Sequence, residues 1–199
     1  MRKAIRRVDT SYQGPTQEDA WPAFVPAAAV LVTTVDPQGR PNIIPLTGWG
    51  ILCRFPFIVG IAVCQGEYTK NYFHRYSHRL LKQVPEFVLN IPHSGLREAI
   101  TACGSVSGDK ADKFALAHLT PEPSIAVRPP AIAECPVSFE CLVRQVVSLG
   151  SHDLFLGEAV AVHTAVVGET IDEDLMTLAL GVEGAADKLI WRSLPVLKG

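Results

Sequence analysis

Apolar residues along this chain fall into short runs separated by turn signals, the pattern of strands more than of long helices. Val30 to Val35 is the first strong strand. Asp36-Pro37-Gln38-Gly39 follows, with Pro37 presetting φ in a tight turn and Gly39 tolerating a positive φ at its end. A second strand from Asn42 to about Leu46 completes a hairpin. Phe57 to Cys64 is a continuous apolar run rich in Val and Ile, suited to a strand buried on both faces. A short strand spans Phe87 to Ile91. Val137 to Leu149 alternates apolar and polar positions, Gly150-Ser151-His152-Asp153 turns, and Leu154 to Val166 returns.

Helical signals are shorter. Thr69 is placed to cap a helix carrying Tyr72, Phe73 and Tyr76, and Ser94 to cap Leu96 to Cys103. Asp109 opens a further segment through Phe114 and Leu116. Asp172, Glu173 and Asp174 precede Met176 to Leu180, where carboxylates favour a helix N-terminus. About six strands and three or four short helices result, with the strands arranged as antiparallel hairpins. That pattern, with no G-x-G-x-x-G, predicts a mainly β fold, a β-barrel with peripheral helices, and argues against a doubly wound parallel sheet.

Composition narrows the function classes. The 199 residues are 48% hydrophobic and 19% charged, enough for one domain with a sizeable core and too apolar for disorder. A net charge of -2 gives no sign of nucleic-acid binding, and Arg2, Lys3, Arg6 and Arg7 read as a solvated arm. No run reaches the ~18 apolar residues of a membrane helix, and the basic start leads into no apolar signal core, so a cytoplasmic location is expected. The five cysteines are odd in number and contain no C-x-x-C, so buried thiols are expected in place of disulfides or structural zinc. His74 and His78 have a metal-compatible spacing but no evident third ligand, and read as an exposed or interface pair.

Four stretches carry a family resemblance. They are VLVTTVDPQGRPNIIPLTGW (Val30 to Trp49), RFPFIVGIAVCQGEYT (Arg54 to Thr69), EFVLNIP (Glu86 to Pro92), and SGDKADKF (Ser107 to Phe114) followed by AECPVSFECLV and HDLFLGEAV within Ala133 to Val160. In this order they resemble the flavin reductase-like (flavoredoxin) family over about residues 25–166. Tyr68 stands where the family often has an arginine, Thr47-Gly48-Trp49 stands where it often has a serine, and His74 to Lys82 are extra.

The resemblance implies an FMN-binding split barrel, six-stranded, antiparallel and Greek-key-like. It also implies a homodimer with non-covalent FMN near the subunit interface. The polar leader, residues 1–24, and the C-terminal extension, residues 167–199, suit such an interface. Leu46, Thr47, Gly48 and Trp49 would lie along the flavin ring, with Gly48 admitting close backbone approach. Cys64, Gln65 and Thr69 would offer N–H groups and a helix start to the phosphate, with Lys70 nearby. Lys113 matches a lysine that the family carries here and could reach the phosphate as a point charge, and Ser105 and Ser107 could donate. Asn90 could turn toward the ligand or away from it, His93 and His152 could approach the flavin or a substrate, and Trp191 could cover the ring, seal a dimer interface or anchor at the surface. The implied activity passes electrons from NADH, NADPH or a small donor through FMN to free flavin or another acceptor. No catalytic side chain is needed. A non-enzymatic FMN carrier or flavin-dependent sensor is the alternative, and a cofactor-free interaction barrel is a third.

Overall fold

The structure, a computed structural model, describes residues 28–66, 74–168 and 170–171. The leader, Thr69 with Lys70, Tyr72 and Phe73, the Met176 to Leu180 segment and Trp191 lie outside the described residues. In chain order the elements are β1 (Val30–Val35), β2 (Pro41–Leu46), β3 (Trp49–Cys53), β4 (Ile58–Cys64), α1 (Tyr76–Gln83), β5 (Glu86–Ile91) and α2 (Arg97–Ser105). They continue with α3 (Lys113–Ala117), β6 (Pro121–Glu122), β7 (Ala131–Ile132), β8 (Val137–Ser148), β9 (His152–Thr164), β10 (Val166–Val167) and β11 (Thr170–Ile171).

Seven strands form one antiparallel sheet in the order β2-β1-β5-β8-β9-β4-β3. Its two edges, β2 and β3, are joined only by Thr47-Gly48. Laid flat, the edges would stand about 29 Å apart at the usual strand spacing. The link from Leu46 to Trp49 reaches about 11 Å at most. The sheet therefore wraps round into a barrel whose first and last strands meet at this connection. β1 pairs with β5 and β4 with β9 across long connections, which interleaves the hairpins in a Greek-key manner.

The strand that sequence reasoning did not separate is β3, which makes the main sheet seven-stranded where six were expected. Ile51 and Leu52 in it are exposed, so this edge strand has no strict alternation to betray it. The small β6–β7 and β10–β11 ribbons were likewise not foreseen.

The apolar runs are explained by two cores. Val30 and Val32 of β1 point into the barrel with Val59, Ile61, Phe87 and Phe155, whereas Leu31 joins Ile43, Cys103, Phe114 and Ile132 beneath α2 and α3. All six β1 residues are buried for that reason. Gly157 admits the Phe87 ring, since a Cβ there would stand 2.5 Å from it. The β1–β2 turn forms as expected: Asp36 Oδ1 accepts from Gln38 N at 3.0 Å and Arg40 N at 2.9 Å, and Gly39 has φ +84°.

The helix start expected at Thr69 lies outside the described residues. α1 begins at Tyr76, and Arg75 before it makes no side-chain cap. The starts of α2 and α3 differ from expectation. His93, not Ser94, receives the N–H of Gly95, and a single 3₁₀ turn then leads into α2. α3 is capped by Asp112, whose Oδ1 accepts from Phe114 N at 3.0 Å and Ala115 N at 3.2 Å, so Asp109 stays in the preceding turn. In the last hairpin His152 and Asp153 already belong to β9, which ends at Thr164. All five cysteines are free, and all but Cys53 are buried.

Candidate functional site

A cavity of about 930 Å³ opens where the barrel edges meet. Its wall comes from β2 and its exit (Ile44, Leu46, Thr47, Gly48) and from Ala62 and Cys64 of β4. The approach to α1 (His74, Arg75, Tyr76) and the turn after α2 (Ser107 to Lys110) close other sides, and Ser151 and His152 of the last hairpin complete it. This volume lies at the upper end of the range for small-molecule sites, about 300–1,000 Å³.

Six of the ten expected residues line it: Leu46, Thr47, Gly48, Cys64, Ser107 and Lys113. Gly48 lies against Ala62, where an added Cβ would be 3.1 Å from that side chain, and its carbonyl accepts from Ala62 N at 2.7 Å. Three others are placed elsewhere. Asn90 is fully buried, and its amide is used up: Nδ2 donates to Leu31 O at 3.0 Å and Val88 O at 3.2 Å, while Oδ1 accepts from Ile132 N at 2.9 Å and Ser138 Oγ at 2.7 Å. Gln65 ties β4 to the β8–β9 turn, its side chain donating to Gly150 O and its N–H to Ser151 O at 3.1 Å. Trp49 packs against the barrel core and donates Nε1–H to Ala28 O at 2.9 Å. Thr69 lies outside the described residues.

The site is electropositive. Arg75, Lys110 and Lys113 line it against one carboxylate, Asp109, among the described residues. Lys113 is 6% exposed and donates from Nζ to Ile43 O at 2.8 Å. Burial holds its pKa below the ordinary lysine value; Arg75 adds to that depression and Asp109 opposes it. An anion beside Nζ would favour the ammonium again. Ser107 bonds Asp109 and holds its carboxyl below the usual range. Burial, with Arg75, depresses the His152 pKa, and its Nδ1 stands 2.8 Å from Ser151 Oγ. Burial raises the Cys103 thiol pKa, which keeps that group a neutral apolar wall.

Asn42, Arg75, Tyr76 and Lys110 were not singled out from sequence. Asn42 stood within the resembling phrase without a role. Arg75 and Tyr76 arrive through the packing of α1 beside β2, which no local pattern encodes. Of the histidines, His74 lines the cavity, but His78 is buried and meets Asp153 Oδ2 at 2.9 Å, so the two are not an exposed pair. His93 lines a separate hollow of about 420 Å³ with Glu122, Cys135 and His163. Among the described residues no cluster could hold a metal ion, and no helix is long and apolar enough to cross a membrane.

The residues present fit a phosphorylated flavin. Leu46, Ile44 and Ala62 offer an apolar wall for a flat ring, Thr47 and Gly48 supply backbone at its rim, and the cations offer charge to a phosphate.

Comparison with known proteins agrees with this architecture. Over 120 residues the chain is 33% identical to an uncharacterized protein of Archaeoglobus fulgidus, covering 60% of this chain and 63% of the other. The match thus spans less than two thirds of that relative's length. The flavoredoxin of Desulfovibrio vulgaris superposes with a TM-score of 0.65 at 25% identity, covering 81% of this chain and 84% of that one. A Thermus thermophilus FMN-binding protein, solved with bound 1-cyclohex-2-enone, shares the fold with a TM-score of 0.65 at 23% identity, covering 80% of each chain. Residues 23–176 match the family described as "Flavin reductase like domain", and with its split barrel this chain belongs to that family.

Proposed function

We propose that this protein binds FMN non-covalently in the cavity at the barrel edge and acts as an NAD(P)H-dependent flavin reductase. The observation that carries this reading is a buried ammonium, Lys113, in the same cavity as the Leu46-Thr47-Gly48 strand exit. One end suits a phosphate and the other a flat apolar ring. Bound FMN would supply the hydride and electron chemistry. The chain's own part is to bind, orient and shield. Lys113 and Arg75 hold the negative tail, Arg75 taking the place of the family arginine missing at Tyr68. Backbone at Thr47 and Gly48 positions the ring rim. Neutral His152 stands at the wall with Ser151 fixing its ring.

A homodimer and a cytoplasmic location belong to the same proposal. Exposed apolar residues, Leu52 in the edge strand β3 and Phe55 in the turn after it, support the dimer.

Absorbance of the purified protein with added FMN, followed by anaerobic NADH or NADPH, tests the reading. A perturbed flavin band that bleaches with either donor is expected. Binding without bleaching would make the protein an electron carrier or sensor, and no binding at all would end the flavin assignment.

A further inference from the structure

α1 carries cations toward the cavity mouth. Arg75 lines the cavity just before the helix. Arg79 follows one turn later, about 6 Å further along the axis. Side chains on a helix lean back toward its N-terminus, and Arg79 does so: its Cζ stands 4.8 Å from the centre of the Tyr76 ring, which is itself cavity wall. Lys110, in the turn after α2, also lines the cavity, and it acts with Arg79 on the Asp109 carboxylate. Arg79, Lys110 and Asp109 are all exposed, so this group forms the rim where the cavity meets solvent.

The charge at this rim is not spent inside the protein. Arg40 pairs with Asp36, and Lys82 with Asp153 at 3.1 Å. Among the described residues Arg75, Arg79 and Lys110 form no salt bridge. The phosphate of FMN carries nearly two negative charges, which Lys113 and Arg75 match. Arg79 and Lys110 remain, opposed in the cavity wall only by Asp109 among the described residues.

A second phosphoryl group answers that surplus. One joined directly to the FMN phosphate would lie beside the buried Lys113, whereas Arg79 stands outside the cavity wall and is reached from solvent. That position suits a ligand that arrives and leaves at each turnover. Of the two nicotinamide donors only NADPH carries a phosphoryl group on its adenosine ribose, and a guanidinium is suited to receive it. The Tyr76 ring beneath Arg79 holds the guanidinium ready. Arg79 also falls in the His74 to Lys82 stretch, which is extra to the family phrases.

We infer that Arg79 and Lys110 receive the 2′-phosphate of NADPH, and that this rim makes the protein select NADPH over NADH. The inference rests on the reductase reading above.

FMN-loaded wild type, Arg79→Gln, Arg79→Lys and Lys110→Gln would be compared by kcat/KM for NADPH and NADH, by inhibition with 2′,5′-ADP and 5′-ADP, and by Kd for FMN and FAD. Wild type should favour NADPH by about tenfold or more, the worth of a hydrogen bond to a charged group. Arg79→Gln and Lys110→Gln should each lower the NADPH-to-NADH ratio about 5–20-fold, allowing for solvent screening. Arg79→Lys, which keeps the charge, should retain part of it. 2′,5′-ADP should inhibit wild type more tightly than 5′-ADP and lose that advantage in Arg79→Gln. Equal kcat/KM for the two donors in wild type, or equal losses for both in the variants, would overturn the inference and leave the reductase reading intact. A loss of FAD relative to FMN, with the coenzyme ratio unchanged, would give these cations to a second flavin phosphate and overturn it too. If wild type binds FMN and neither coenzyme reduces it, the reductase reading fails and this inference falls with it.

Discussion

Lys113 Nζ donates to the carbonyl oxygen of Ile43 at 2.8 Å, which pins an ammonium from α3 against the middle of β2 inside the cavity. One of its three protons is used there, and two remain for a ligand. Lys113→Met keeps the aliphatic stem and removes the charge. It should weaken FMN by about 1.5–3 kcal/mol, the usual worth of a hydrogen bond to a charged group. Riboflavin, which lacks the phosphate, should bind as before. Parallel titrations of both flavins check this; equal losses would move Lys113 from phosphate binding to wall support.

Asn90 gives the opposite expectation. All four hydrogen-bonding positions of its amide are satisfied inside the protein, linking β1, β5, β7 and β8. Asn90→Ala strands the Ile132 N–H and the Leu31 carbonyl in a dry interior. It should cost about 2–4 kcal/mol of stability, given about 1–3 kcal/mol per unsatisfied buried group. Flavin affinity of the folded fraction should not change. Urea unfolding alongside FMN titration separates the two, and a selective loss of affinity would return Asn90 to the site.

These two residues show where local reading works and where it stops. β1 is legible because VLVTTV has an apolar residue for each core it faces, and the Asp36 to Gly39 turn because its chemistry is local. Lys113 and Gly48 were reachable through the family phrases around them. Asn90 was not resolved, because strand parity assigns a side chain to a face but does not say what covers that face. Here β7, from forty residues on, arrives to cap it. Asn42 and Arg75 matter only because α1 packs beside β2, and β3 is hidden by its exposed apolar edge.

Gly157 faces Phe87 within the barrel, where an added Cβ would lie 2.5 Å from the ring and 2.9 Å from the Cys141 side chain. All three positions are buried in the core of the sheet. Gly157→Ala should therefore overpack the barrel and cost about 1–3 kcal/mol. Thermal unfolding measures it, and the double variant Gly157→Ala with Phe87→Leu should recover part of the loss by vacating the ring edge. Failure of the second change to restore any stability would show that the strain lies in the backbone and not in this contact.

Glu140 is completely buried, and its carboxylate fastens the loop between β6 and β7. It accepts from Ile125 N at 2.9 Å, Ala126 N at 2.6 Å and Val127 N at 3.1 Å, and it meets His163 Nε2 at 2.6 Å. Burial alone would raise its pKa, but the His163 contact and the backbone N–H groups outweigh burial and hold it below the usual glutamate value. A carboxyl depressed on folding adds stability that is present above its unfolded pKa and is lost as pH falls through the folded one. Stability should thus decline from about pH 4.5 downward. Glu140→Gln keeps the shape and one acceptor oxygen but loses the charge and strands part of the N–H cradle. It should cost about 2–4 kcal/mol at pH 7. Its stability curve should also be flatter in acid, so that wild type and variant converge below the folded pKa. Urea unfolding across pH 3 to 7 tests both parts. Parallel curves, with a constant gap at every pH, would show that the carboxylate charge does not hold this loop.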